Sequence, residues 1–297
     1  MKRTVRPGRA FPAAALALAM ALPAFSLASP SAQSCSNPLT DAIPARLADA
    51  APGSRVMGEA SALSGTERDA VLAGHLLAGN LPSYLRRLKP VSIDDTLADG
   101  RRVRITLCVT PGYLAVGDDA DFVRVPMGLA AAARVADGFG FLLPTTRMVD
   151  AIHDQAAVRL RPSPMKPTDR MTSTDYLMRH NRTVEDQRAR AGRSPADLTA
   201  GQKKDVVLSK RLLAKPGRVA IYGWHRTNGV PIQPLSTVHG AGYSDYSHGV
   251  RLVSGIAYLN GEPRALADMM RDDTLVALLS DDGPMDDVRG FQASLFR

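Results

Sequence analysis

The chain has 297 residues, of which 37 are Lys or Arg and 29 are Asp or Glu, giving a formal net charge of +8. Four of the basic side chains lie between residues 2 and 9, in a segment predicted below to be removed; without them 33 basic residues face 29 acidic ones, a net charge of +4. That balance excludes the strongly basic surface typical of nucleic-acid-binding proteins. A chain of this length can form one large domain with its own hydrophobic core.

Residues 1–28 predict an export signal of bacterial type. The four basic side chains precede the apolar stretch AFPAAALALAMALPAF, and small residues suited to cleavage follow at Ser26 and Ala28. This stretch is shorter than a comfortable membrane span, and no later stretch is apolar enough for one. We therefore expect an exported protein, periplasmic or extracellular, with no integral membrane segment after removal of the signal.

The cysteine content also bears on the compartment. Cys35 and Cys108 are the only two cysteines. In an oxidising compartment they most simply form one disulfide that ties the N-terminal arm to the first strong strand. The alternative is that Cys108 is a nucleophile, but it lies within a strand-like run and has no neighbouring base in the sequence, so the pattern favours the disulfide.

Residues 29–65 predict an extended arm, because Pro, Gly and Ala are frequent and hydrophobic periodicity is poor. Residues 66–297 predict a single α+β domain with a mainly antiparallel sheet and helices packed on one side. Hydrophobic periodicity and capping signals predict these elements: helices near 66–79, 128–137, 145–156, 173–190, 264–270 and 273–279, and strands near 102–109, 218–224 and 250–259. A polar hairpin turn is expected at 117–121 and a tight turn at Asn260-Gly261, and the chain should end in an acidic turn and a short tail.

The candidate site is the stretch from Arg218 to Asn260. It holds three of the six histidines, the only tryptophan and four of the seven tyrosines. Its densest part presents His239, Tyr243, Asp245, Tyr246, Ser247 and His248 among glycines that allow the backbone to turn sharply. Polar side chains gathered at strand ends and on the intervening loop are typical of a binding or catalytic site.

Three chemical interpretations compete for this stretch, beside a purely structural loop. In the first, His248 is a general acid or base, Asp245 orients it, and His239 is a second catalytic histidine. In the second, His225, His239 and His248, with or without Asp245, bind a divalent metal such as zinc, although their spacing matches no compact zinc motif. In the third, the loop is a binding platform whose aromatic side chains stack on sugar rings.

Part of this stretch resembles a known peptidase element. Residues 247–253, SHGVRLV, followed by a strand and the Asn-Gly turn, resemble the histidine-bearing strand of papain-like and NlpC/P60 cysteine peptidases. The resemblance implies a catalytic histidine at His248. Those families also need a cysteine at the start of an upstream helix, and neither Cys35 nor Cys108 is placed there.

The interpretation that these patterns favour is an exported hydrolase of a cell-envelope or extracellular polymer, either peptidoglycan or a polysaccharide. His248, Asp245 and His239 are the predicted catalytic residues. The predicted substrate-binding residues are Trp224, His225, Tyr243, Tyr246, Lys203, Lys204 and Arg251, the last three as partners of substrate carboxylates. The alternative is a non-catalytic carbohydrate- or peptidoglycan-binding protein that uses the same aromatic residues.

Overall fold

The computed structural model describes Met1, Cys35 and residues 37–297, so the predicted signal lies outside the described residues except for Met1. The helices of the described part are α1 (Gly53–Glu59), α2 (Gly65–Leu77), α3 (Leu129–Gly138), α4 (Thr146–Gln155), α5 (Thr174–Arg190), α6 (Leu266–Arg271), α7 (Val276–Leu279) and α8 (Val288–Ser294). The strands are β1 (Lys89–Thr96), β2 (Arg102–Val109), β3 (Ala115–Gly117), β4 (Phe122–Arg124), β5 (Phe141–Leu142), β6 (Val158–Arg159), β7 (Thr199–Ala200), β8 (Lys204–Val206), β9 (Ile221–His225), β10 (Pro231–Ser236), β11 (His248–Gly249), β12 (Val253–Ser254), β13 (Ile256–Leu259) and β14 (Glu262–Ala265). None of these helices is long and apolar enough to cross a membrane.

Strand β2 is the centre of the larger sheet, and it coincides with the segment that the alternating pattern predicts. The order in this six-stranded sheet is β14-β13-β2-β12-β5, with β1 also paired to β2, and all of its pairings are antiparallel. A four-stranded sheet has the order β10-β9-β8-β11, in which only β8 and β11 run parallel. Strands β3 and β4 form a hairpin and β6 and β7 a short parallel pair. The predicted α+β class and antiparallel character are confirmed within one compact unit, Gln33–Arg297, but the strands divide among several sheets.

The core of this unit is aliphatic, as the low aromatic content requires. Ile105, Leu107 and Val109 of β2 are fully buried and belong to one continuous cluster of mainly Leu, Val, Ile, Met and Ala side chains. Removing this apolar surface from water is the main stabilising contribution to such a fold. The two sheets and the helices therefore share a core, and the candidate site lies at the margin of it.

The predicted disulfide is present. Cys35 and Cys108 are bonded, with a Cα–Cα distance of 5.5 Å, across a sequence separation of 73 residues. Cys108 lies in β2 and is fully buried. The bond ties the start of the described chain to the central strand, and it leaves no free cysteine among the described residues.

Two regions differ from the sequence prediction. The expected extended arm contains α1, whose Val56 and Met57 are buried, and Gly53 opens this helix where a Cβ would lie 2.7 Å from the Val116 carbonyl oxygen. The predicted C-terminal tail contains α8, whose Gln292 side chain donates to the Phe141 carbonyl. Both helices have seven residues and depend on tertiary contacts, which local periodicity does not report.

The two predicted turns are confirmed. Asn260 and Gly261 have φ values of 52° and 93° and join β13 to β14, as a tight hairpin turn requires. The Asn260 side-chain oxygen also accepts a hydrogen bond from the Arg104 backbone N–H at 2.8 Å. Asp118 accepts backbone hydrogen bonds from Ala120 and Asp121 inside the turn between β3 and β4, so this carboxylate stabilises the turn.

Candidate functional site

The candidate site is built on the segment His239–Gly249, called the histidine loop below. It leaves the strand pair β9–β10 and returns to the sheet as β11, where His248 is paired with Lys204 of β8. The Tyr246 backbone N–H donates to the Met171 carbonyl at 3.2 Å, just before α5. The loop is therefore held between the four-stranded sheet and the segment that leads into α5, a placement that no sequence pattern predicts.

The structure brings together three of the predicted site residues on this loop. The rings of His239 and Tyr243 are stacked, with centroids 4.2 Å apart, and both are half-buried. His248 lies behind them, 5.7 Å from the Tyr243 ring and 6.4 Å from the His239 ring. The stacked pair thus separates the buried His248 from solvent.

His248 is fully buried, and neither of its ring nitrogens has a hydrogen-bond partner. Burial lowers its pKa to about 4, opposed by the charge of Asp245 and reinforced by Lys204. The imidazole is therefore neutral near pH 7 and offers one unprotonated nitrogen as a proton acceptor. Buried polar atoms without partners are uncommon in folded proteins, and a catalytic role is one explanation for them.

Asp245 does not orient His248 in the way that the sequence predicts. Its Oδ1 accepts from the Ser247 backbone N–H at 2.7 Å and from the Ser247 hydroxyl at 2.5 Å, and its Oδ2 accepts from the Tyr243 hydroxyl at 3.1 Å. Burial tends to raise the pKa of Asp245, but the charge of His248 and the bonds from Ser247 lower it. A tight turn, in which the His248 N–H binds the Asp245 carbonyl, directs the carboxylate to Ser247 instead of the imidazole. Asp245 therefore acts on His248 through its charge.

The two predicted lysines occupy different environments. Lys203 is buried, and its Nζ donates to the Tyr246 carbonyl at 2.5 Å. Burial lowers the pKa of Lys203 to about 7, with a further contribution from the charge of Arg124. Lys204 is half-buried and its Nζ lies 5.1 Å from the centre of the Trp224 ring. A neutral amine at Lys203 is chemically a proton acceptor as well, and it lies next to the histidine loop.

The aromatic residues that were predicted to stack on a substrate are mostly buried. Trp224 is 7% exposed and Tyr246 is 3% exposed. The Tyr246 hydroxyl is engaged by the Met165 backbone, accepting from its N–H at 2.8 Å. Tyr243 is half-buried, so among these three it alone presents part of its ring to solvent.

His225 belongs to a separate cluster. Its Nε2 lies 2.8 Å from Asp150 Oδ1, and its ring is stacked on the His153 ring at 4.6 Å. The Tyr222 hydroxyl donates to the same Asp150 carboxylate at 2.9 Å. Trp224, the residue before His225, has a positive φ of 52°, so the end of β9 is strained in a way that directs His225 toward α4.

This separation bears on the predicted metal site. His225 points to Asp150 on α4, whereas His239 and His248 lie on the histidine loop. Within the described residues, no group of three His, Cys, Asp or Glu side chains is placed to share a metal ion. The three histidines do not form a zinc-binding set in this arrangement.

Arg251 is occupied by structural contacts. Its guanidinium donates to the Thr110 and Thr199 carbonyls at 2.8 and 2.6 Å, lies 4.5 Å from the centre of the Tyr113 ring, and has its Nε 3.8 Å from the Asp205 carboxylate. The side chain is 1% exposed. Its predicted role as a partner of substrate carboxylates is not supported, because its guanidinium already binds groups of the protein where β2, β7 and β8 meet.

Sequence reasoning missed two buried residues next to the loop. His180 of α5 is fully buried with no partner for either ring nitrogen, and its ring lies 5.0 Å from the Tyr246 ring. Burial lowers its pKa to about 2. Arg68 of α2 is also fully buried, with two free guanidinium nitrogens. His180 lies on a helix whose polar composition predicts exposure, and Arg68 lies in the polar first turn of α2. No local signal distinguishes either of them from a surface residue.

The fold and the site together define an α+β protein with a buried polar cluster under a partly exposed His-Tyr pair. Comparison of the chain with known protein families, with curated proteins and with solved structures finds no match. The functional argument therefore rests on the site itself.

Proposed function

We propose that the protein is an exported hydrolase that acts on a cell-envelope or extracellular polymer at the histidine loop. The observation that carries this proposal is His248, a fully buried histidine with two unpartnered ring nitrogens beside the buried Asp245 carboxylate. A neutral imidazole that faces no protein acceptor or donor is suited to take a proton from water or from a substrate group. The nearby carboxylate then stabilises the imidazolium that forms, through its charge.

Two further features support hydrolysis over simple binding. Tyr243 donates to Asp245, and burial, together with that carboxylate, raises the pKa of Tyr243 to about 12, so the phenol stays protonated and remains a hydrogen-bond donor. Lys203, with its pKa near 7, places a second proton-active group under the loop. Clusters of groups with shifted pKa values are typical of catalytic sites.

The exported location belongs to the same proposal. A disulfide is typical of proteins that fold in an oxidising compartment, and Cys35 and Cys108 form one here. The N-terminal sequence predicts an export signal, and in an oxidising compartment outside the cytoplasm an envelope or extracellular polymer is an accessible substrate. The alternative function, a carbohydrate-binding protein, has less support because Trp224 and Tyr246 are buried and do not form an open stacking surface.

The test is mass spectrometry of products after the mature protein is incubated with peptidoglycan sacculi and with a panel of envelope polysaccharides. His248→Gln removes the proton acceptor while keeping a polar side chain of moderate size. His153→Gln is the matched control, because His153 is also buried and its ring nitrogens also lack hydrogen-bond partners, but it belongs to the α4 cluster. We expect new fragments from the wild type and from His153→Gln, and none from His248→Gln.

Two results would contradict the proposal. If no polymer yields fragments with the wild type, while sacculi still sediment with the protein, the chain is a binding protein. If His248→Gln retains full turnover while His153→Gln loses it, the reacting groups lie at the Asp150–His225 cluster instead.

A further inference from the structure

Arg68 is the most unusual buried charge outside the residues discussed for catalysis. The side chain is fully buried, and its Nη1 donates to the Thr172 carbonyl. Its Nε and Nη2 have no hydrogen-bond partner. These two nitrogens form one edge of the planar guanidinium, the edge that binds a carboxylate through two parallel hydrogen bonds.

The neighbouring acid interacts with Arg68 through its charge but does not hydrogen-bond this edge. Asp69 follows Arg68 on α2, but its Oδ2 accepts from the Gly128 backbone N–H at 2.8 Å, and its Oδ1 has no partner. Within the described part of the chain, no ion pair joins Arg68 to a carboxylate within 4.0 Å. A buried guanidinium that keeps two free donors is costly to the fold unless another group binds them.

Arg68 is connected to the histidine loop from two sides. The Met171 carbonyl accepts from Tyr246 of the loop, and the next carbonyl, that of Thr172, accepts from Arg68. On the other side, a Cβ added to Gly128 would lie 2.9 Å from the Asp69 carboxylate and 3.0 Å from the Gly242 Cα of the loop. Arg68 and Asp69 are therefore each linked to the loop that carries His248 through one intervening backbone segment, residues 171–172 for Arg68 and Gly128 for Asp69.

The unpartnered groups around the loop also differ in kind. Arg68 offers two donors, Asp69 offers a carboxylate oxygen, and Ser244 of the loop has a buried hydroxyl without a partner. A single ligand that contacted all of them would combine a carboxylate with an N–H or O–H donor close by. The end of a peptide chain has this combination, because a free carboxylate lies one residue away from an amide N–H.

We propose that Arg68 recognises a free carboxylate of the substrate at the histidine loop, and that this carboxylate belongs to a peptide. The inference rests on the proposed function and deepens it, since it selects the peptide part of an envelope polymer over a neutral glycan. Arg68 acts in recognition, and the proton transfers stay with the groups of the loop.

The experiment compares two substrates that differ only in this group: native sacculi, and sacculi whose free carboxylates have been converted to amides. We expect the wild type to release fragments from native sacculi at least about 30-fold faster, since an unpaired buried charge costs roughly 2 kcal/mol or more. In Arg68→Lys the charge remains but the two parallel hydrogen bonds to the carboxylate are lost, so the ratio of the two rates should fall below the wild-type value. The ratio is measured within each variant, so it does not depend on how much of that variant is folded.

Arg124→Lys is the matched control. Arg124 is also a buried arginine, but its guanidinium is paired with Glu185 at 2.6 Å, so this variant should be less stable and should keep the wild-type ratio. A wild-type ratio near one, or an unchanged ratio in Arg68→Lys, would overturn the inference while leaving hydrolysis intact. Faster cleavage of a polyuronate than of sacculi would place the carboxylate on a sugar and overturn the peptide assignment.

The inference and the proposed function fail in different ways. If no polymer is cleaved, co-sedimentation with native and amidated sacculi measures recognition alone. Stronger binding to native sacculi that is lost in Arg68→Lys then supports the carboxylate site without hydrolysis. Equal binding of the wild type to native and amidated sacculi refutes the proposed carboxylate site.

Discussion

Lys203 offers a quantitative test, because its burial is a cost to the fold that can be removed. Its pKa falls from 10.5 in an exposed lysine to about 7 in the folded protein, chiefly through burial. The unfolded chain therefore binds more protons than the folded one between pH 7 and 10.5, and stability rises with pH across that window. At 1.36 kcal/mol per pKa unit, the cost is roughly 4 kcal/mol at pH 7 and roughly 1 kcal/mol at pH 9.5.

Replacing Lys203 by Met removes this cost and keeps a side chain of similar length. The substitution also leaves the Tyr246 carbonyl without the Nζ–H donor now at 2.5 Å, a loss of about 1–3 kcal/mol. We expect Lys203→Met to be roughly 1–3 kcal/mol more stable than the wild type at pH 7. By pH 9.5 this advantage should vanish or reverse.

The assay is urea unfolding at both pH values, followed by the fluorescence of Trp224, the only tryptophan and a buried one. Lys204→Met is the control, because Lys204 is half-buried and loses less contact with water on folding than Lys203 does. A difference between the wild type and Lys203→Met that does not change with pH would refute the reasoning. The reasoning would also be refuted if Lys203→Met were several kcal/mol less stable than the wild type at pH 7. If Lys203→Met is more stable but inactive, Lys203 is kept for function at the expense of stability.

Three further predictions concern stability. Replacing Cys35 and Cys108 by Ser should lower the free energy of unfolding by roughly 2–5 kcal/mol, since the disulfide closes a long loop of the chain. Urea unfolding of the reduced wild type should show the same loss. Burial raises the pKa of Asp205 to about 6, so the folded state binds this proton more tightly than the unfolded state. The stability of the wild type should therefore fall by up to roughly 3 kcal/mol as the pH rises from 4 to 6. In Asp205→Asn this fall should be absent from acid titrations monitored by circular dichroism. Asn260→Ala should lower the free energy of unfolding by about 1–2 kcal/mol, because alanine disfavours the positive φ and cannot form the hydrogen bond to Arg104. A melting temperature equal to that of the wild type would show that the turn is not strained.

Several elements could be predicted because their signals are local. Strand β2 alternates apolar and polar side chains at every position of its first half, α4 carries an apolar stripe, and the Asn260-Gly261 turn needs only two residues of the right type. The disulfide could be predicted from the presence of two cysteines and a predicted export signal. The crowding of His239, Tyr243 and His248 was likewise visible as residues close together in the chain, and the structure keeps them together.

Only the tertiary structure decided which groups share an environment, because burial and hydrogen bonding depend on residues far apart in the chain. It joined His225 to Asp150, 75 positions away, and so separated His225 from the histidine loop. In the folded chain the Asp245 carboxylate accepts hydrogen bonds from Ser247 and Tyr243. Arg68 is buried beside the Thr172 carbonyl, 104 residues away in the sequence. The amino-acid sequence determined the class of fold, the disulfide and the region of the candidate site, since short-range patterns record those. Which side chains are left without partners there is a property of long-range packing, and no local pattern carries it.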